Sequence, residues 1–302
     1  TVETTETGGG AADSQTFVEA TTTTAESPNH WDVAANWSGG AVPVNSDDVY
    51  IEDSDVDILY GLDQNSVTLT SLNIGLNYTG QIGLAYRNEN DYIEYRDRYL
   101  KVKATTVNVG YGVGQGSSQI NLDQSTVQTT VNVHGTASSI SNGRPTIQWK
   151  GTHNSNVVNL SKGSFGAAVE PGETATIATL NVGYTDNILG DVDAQLGSGC
   201  TLTTINKSGG DVSTAAGATT ITQTAGTLTI AAGAVTTLNV QGGTVYYNST
   251  GTLTTGNVTN NGILDFSKDM RTKTVTNAIN VYGNQSELID PFKVVTSLVV
   301  DM

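Results

Sequence analysis

The chain has 302 residues, with 13 Lys and Arg against 29 Asp and Glu, a formal net charge of −16. That balance repels phosphate backbones and excludes an ordinary nucleic-acid binder. No apolar run reaches the roughly 18 residues of a membrane-spanning helix, and the lone Cys200 rules out an internal disulfide framework and a multi-cysteine zinc site. The acidity is uneven. Residues 1–86 hold 13 acidic side chains and no basic one, because the first Lys or Arg is Arg87. Residues 87–302 hold 16 acidic and 13 basic side chains and are close to neutral. The acidic end either meets a basic partner surface or keeps the protein in solution.

Residues 1–28 are rich in Thr, Glu and Gly and have no apolar periodicity. Such a stretch cannot offset its own ordering entropy, and it lacks the basic start and apolar core of a secretory signal. The expectation is an extended arm held against its own body, a sister subunit or another protein, with Phe17 and Val18 as anchors.

Residues 29–63 read as an N-terminal cap and first coil. His30, Trp31, Asp32, Trp37, Pro43 and the Asp47-Asp48 pair form the most distinctive stretch of the chain. Trp31 and Trp37 suit a lid over the open end of a β-fold, where exposed core would invite edge pairing. The alternative is an aromatic platform for a glycan. Asp53, Asp55 and Asp57 recur at alternate positions, so on a strand they would share one face. Three such carboxylates are candidate Ca²⁺ ligands. Ile58 stands where a calcium loop needs Gly, and Gln64 where it needs Glu, so a solvated face is the simpler reading. No other cofactor is indicated.

From residue 64 to 290 short β-type segments are cut by Gly and Asn, and no helical apolar stripe appears. A phrase of apolar–Asn–apolar type recurs: Leu72-Asn73-Ile74, Val107-Asn108-Val109, Val131-Asn132-Val133, Val158-Asn159-Leu160 and Leu180-Asn181-Val182. It continues more loosely at Ile205-Asn206, Ile221-Thr222, Leu238-Asn239, Val258-Thr259 and Val275-Thr276. Recurrence on this scale predicts an all-β solenoid, a right-handed parallel β-helix with one phrase per coil and the Asn residues stacked in a ladder. A β-sandwich or jelly roll is the rival fold, but the turns are mostly Gly or Gly-Gly rather than hairpin Asn-Gly. Residues 291–302 read as a C-terminal strand.

Residues 86–103 differ from the rest, with charges of both signs interleaved with Tyr. They read as an insertion between two coils, and Tyr92, Tyr95, Arg96, Arg98 and Tyr99 have the composition of a partner interface. A salt-laced surface hairpin is the plainer alternative. Catalysis finds little footing. His30, His134 and His153 have no nucleophile at a recognisable spacing, and the carboxylate pairs Asp191 with Asp193 and Asp265 with Asp269 look like turn residues. The expectation is a protein that is not an enzyme.

Trp31-Asp32 with Ala34-Ala35-Asn36-Trp37-Ser38-Gly39-Gly40, Val42-Pro43 and Asp47-Asp48-Val49 resembles the first repeat of secreted bacterial β-helix proteins, autotransporter passengers among them. A longer run is similar to structural proteins of tailed bacteriophages, head-associated or fibre-like. It comprises Gly61-Leu62-Asp63-Gln64, Thr70-Ser71-Leu72, Tyr78-Thr79-Gly80, Gln148-Trp149-Lys150-Gly151-Thr152-His153 and Pro171-Gly172-Glu173-Thr174-Ala175. The chain shows neither the signal peptide nor the C-terminal translocator barrel of an autotransporter. The resemblance implies a non-enzymatic virion component, a trimer or other homo-oligomer that decorates a shell built of major capsid protein, without nucleic-acid or membrane partners. A glycan-binding fibre or adhesin and a polysaccharide-degrading tailspike are the alternatives.

Overall fold

A computed structural model of the chain describes residues 14–17, 28–88, 90–137, 143–183, 192–295 and 300–301. Its strands in the N-terminal half are β1 (Ser14–Phe17), β2 (Asp48–Ile51), β3 (Thr68–Gly75), β4 (Lys103–Tyr111), β5 (Ile120–Asp123), β6 (Thr130–Val133), β7 (Ile147–Lys150), β8 (Val157–Leu160), β9 (Gly163–Ala167) and β10 (Ala175–Val182). The next six are β11 (Val192–Leu196), β12 (Cys200–Lys207), β13 (Asp211–Thr214), β14 (Ala218–Gln223), β15 (Thr227–Ile230) and β16 (Val235–Val240). The last six are β17 (Thr244–Tyr247), β18 (Leu253–Val258), β19 (Ile263–Asp265), β20 (Val275–Val281), β21 (Glu287–Ile289) and β22 (Val300–Asp301). One sheet has 13 strands in the order β1-β2-β3-β4-β6-β8-β10-β12-β14-β16-β18-β20-β22, and the other has nine, β5 to β21 by odd numbers.

From β4 to β21 the chain alternates between the sheets, one strand to each per turn, and the named strands pair in parallel throughout. This is a parallel β-helix, and the all-parallel ladders exclude the sandwich. Thirteen strands at about 4.8 Å each make the longer sheet roughly 58 Å from edge to edge.

The recurring phrase explains the ladder. Its two apolar residues point inward, where each stacks over its counterpart in the next coil. Val49, Leu72, Val107, Val131, Val158, Leu180, Ile205, Ile221, Leu238 and Ile279 form one fully buried column. The Asn between them faces outward and bonds its neighbour. Asn108 Nδ2 donates to Asn73 Oδ1 at 2.8 Å, and Asn132, Asn159, Asn181 and Asn206 repeat the bond at 2.8–2.9 Å, each to the Asn one coil earlier. Thr222 takes the next rung, where its hydroxyl accepts from Asn239 at 3.3 Å. Asn257 and Asn280 then resume the amide contacts at 2.8 Å. The last two rungs therefore belong to Gly256-Asn257-Val258 and Ile279-Asn280-Val281, not to Val258-Thr259 and Val275-Thr276 as the looser phrases suggested.

The turns set the coil size. Gly210, Gly226 and Gly243 occupy one corner in successive coils at φ of 62°, 75° and 68°, left-handed values that favour Gly. A Cβ on Gly226 would also collide with the carbonyl oxygen of Gly210. Lys207 and Gln223 take the inward positions that Val182 and Val240 fill in neighbouring coils. Both are buried, and they bond the corner carbonyls: Lys207 Nζ reaches Ala225 O at 2.8 Å, and Gln223 Nε2 reaches Gly226, Gly242 and Thr244 at 3.1–3.2 Å. These bonds offset the burial of Lys207 Nζ and Gln223 Nε2, while Gln223 Oε1 stays buried without a partner.

Candidate partner-binding surface at the N-terminal end

The N-terminal end is closed by aromatic residues. Strand β1 adds to the edge of β2, and its Phe17 is buried against Trp37 with centroids 5.5 Å apart. Trp37 crosses Trp31 at 4.7 Å, and its indole Nε1 donates to Trp31 O at 2.7 Å. Trp31 and Trp37 are 0% and 2% exposed. This corrects the glycan-platform alternative, since neither ring offers a face to a sugar. Val18, the other expected anchor, lies outside the described residues.

The acidic triplet does not gather either. Asp53 sits in a left-handed turn at φ 53° rather than on a strand, and its Oδ1 accepts from Asn77 Nδ2 at 2.6 Å. Asp57 Oδ1 accepts from the Gln81 amide at 2.8 Å, while Asp55 is exposed. The turn destroys the shared strand face on which the Ca²⁺ reading for Asp53, Asp55 and Asp57 depended. Among the described residues, no group of three or more His, Cys, Asp or Glu side chains is arranged to hold a metal ion.

The insertion between β3 and β4 has a fastened base and a free tip. At the base, Leu100 bridges to Leu122 and Leu84 N donates to Arg98 O at 2.9 Å. Tyr99 Oη donates to Glu173 Oε1 at 2.5 Å, and Arg98 Nη2 lies 3.4 Å from the same oxygen. Lys150 stands 3.7 Å over the Tyr99 ring, and the guanidiniums of Arg144 and Arg98 lie 3.7 and 5.0 Å from the centre of Tyr86. Arg144 also pairs with Glu170. Burial, and then the Glu173 carboxylate, push the Tyr99 hydroxyl well above its ordinary range, so it stays a donor. Burial and the nearby Arg98 charge lower the Arg144 guanidinium. Arg98 and Tyr99 are 8% and 2% exposed. They tie the insertion to its own body, which corrects their reading as partner contacts.

The tip is a short antiparallel hairpin in which Arg87 bridges to Ile93. Asn88 organises its turn, the side-chain Oδ1 accepting from the amides of Asn90 and Tyr92 at 3.0–3.1 Å. Tyr92, Ile93 and Tyr95 are exposed by 71%, 58% and 90%. Arg96 grips Glu94 through Nε at 3.0 Å and Nη2 at 2.8 Å, with Tyr60 near enough to interact electrostatically with the guanidinium. The Arg96 hydrogen bonds hold the Glu94 carboxyl down at about 2. Beside them the His30 and Tyr60 rings stack at 4.8 Å and 25°.

The carboxylate pairs that the sequence reads as turn residues do not face each other as spaced. Asp191 is outside the described residues. Asp193 instead stands directly across from Asp211 on the neighbouring strand, and burial, then Asp211, raise its carboxyl. Asp265 accepts from the Ser267 amide at 2.6 Å. Asp269 is taken by Arg271 and Lys273, which hold it well below the usual carboxylate range. His134 is exposed at a strand end, and His153 Nδ1 accepts from the Ser155 amide at 3.1 Å. The exposed chemistry of this region therefore gathers where the hairpin meets the first coil. The sequence singles out His30 but not its partner Tyr60, because their 30-residue separation hides the stacking.

No protein-family model, curated protein or solved structure matches the chain.

Proposed function

We propose that the chain is a non-enzymatic structural protein of a virion, a decoration or cement protein that stands on a shell of major capsid protein as a homo-oligomer, a trimer in the simplest arrangement. The proposal rests on the bacteriophage resemblance. One structural observation carries it further: a hairpin fastened by Tyr99 and Glu173 at its base, presenting Tyr92 and Ile93 at its tip without burying them. An apolar tip on a fastened base docks into a partner pocket at reduced entropic cost. Residues 1–86 carry 13 acidic side chains and no basic one, a balance that favours a basic receiving surface. The solenoid then serves as a spacer, and closed cyclic symmetry matches a symmetric shell.

The test is immunogold labelling of intact particles with antibody raised against the chain, followed by rebinding of purified protein to particles stripped of it. Particle labelling is expected, with rebinding lost in Ile93→Asp at unchanged thermal stability. Antigen found only in infected cells, never on particles, would refute the proposal.

A further inference from the structure

We propose that His30, Tyr60 and Arg96 form a binding site for a neutral, hexose-containing glycan, separate from the Tyr92–Ile93 tip. Two features of the geometry point to a sugar. The first is a fixed aromatic platform. His30 and Tyr60 bridge through their backbones, Trp31 N donates to Tyr60 O at 3.0 Å, and the rings stack 4.8 Å apart with Tyr60 44% exposed. A flat, exposed ring of this kind takes the C–H face of a pyranose.

The second is a polar fork held beside the platform. Arg96 spends Nε and one Nη2 bond on Glu94, which holds the guanidinium, and it lies close enough to Tyr60 to interact with it electrostatically. Its remaining N–H groups suit the paired hydroxyls on a sugar rim, because a guanidinium offers five donors in a rigid plane. Asp32, 3.3 Å from His30 Nδ1 and half-exposed, adds an acceptor on the other side. Preorganised rings and a locked fork reduce what binding must order.

Charge selects the sugar. Asp32 belongs to the stretch of residues 1–86 that holds no Lys or Arg, and Glu94 neutralises Arg96 just as Arg87 neutralises Asp91, which leaves Asp32 as the uncompensated charge beside the platform. Sialylated or uronate glycans meet repulsion there, whereas neutral hexoses do not. A protein partner is better served by the apolar tip than by this ring-and-fork face.

The full chain is to be screened on an array of neutral and acidic glycans, with the best ligand titrated by calorimetry. Tyr60→Ala and Arg96→Lys should each weaken binding about tenfold, as loss of one stacking or bidentate contact would, with thermal melting unchanged. Ile93→Asp should leave affinity intact. Three results would overturn the site: no neutral glycan retained, a preference for acidic glycans, or affinity preserved in both Tyr60→Ala and Arg96→Lys. Loss of binding in Ile93→Asp would move recognition to the tip and overturn it as well.

Discussion

The shaft from β12 to β20 and the end that carries the cap are built on opposite economies. In the shaft, coils turn on glycine corners, the core column is aliphatic, and register holds from strand to strand through Thr204, Thr220, Thr237 and Thr255. At the N-terminal end the longer sheet is closed by Phe17, Trp31 and Trp37, and the chain there is interrupted by a charged hairpin and loaded with carboxylates. A shaft coil is stabilised by the coil on either side, so any one position carries little alone. The end coil has a neighbour on one side only, and a few large side chains must replace the other.

That difference can be broken by substitution. Trp37→Ala removes a buried ring that touches both Phe17 and Trp31. It should cost about 3–5 kcal/mol, read as a lowered urea midpoint, with the first coils losing amide-exchange protection before the shaft. Asn181→Ala, within the ladder, removes one bond to Asn159 and one from Asn206. It should cost about 1–2 kcal/mol by the same measurement, since the partners left behind are only part-buried. Gly256→Ala should act in the other direction. Gly256 takes the column position that Leu238 and Ile279 fill, has no left-handed φ, and a Cβ there meets Ile279 and Leu253 at an ordinary 3.5 Å. A gain of about 0.4–1 kcal/mol is expected, with a matching rise in melting temperature. If Gly256→Ala destabilised the chain as strongly as Trp37→Ala, the contrast between end and shaft would fail.

The solenoid was legible because the phrase repeats its chemistry as well as its spacing. An outward Asn between two inward aliphatics appears from Asn73 to Asn206 almost unchanged. It slipped at the far end for physical reasons. Gly256 removes the apolar residue that announces the phrase, and Asn280 follows Asn257 by 23 residues where the preceding coils are shorter. The cap aromatics were legible as a cap, because large rings beside a β-edge have few other uses. The hairpin was legible as an insertion, but not its division into fastened and free halves. Arg98 and Tyr99 find Glu173 across 75 and 74 residues, and only the stacking of coils brings them together. The pairing of Asp193 with Asp211 was hidden in the same way, by loops whose lengths set the register of the second sheet.

The ladder has a direction. From Asn108 to Asn206 each side-chain amide donates to the coil before it, and from Asn73 to Asn181 each amide oxygen accepts from the coil after it. Side-chain dipoles aligned in this way add along the axis, as peptide dipoles do in a helix, and their positive ends face the N-terminal coils. Those are the coils where the carboxylates of Glu52, Asp53, Asp55 and Asp57 collect. The rod is electrically polarised, with its negative residues gathered at its positive pole, as acidic side chains gather at the start of a helix.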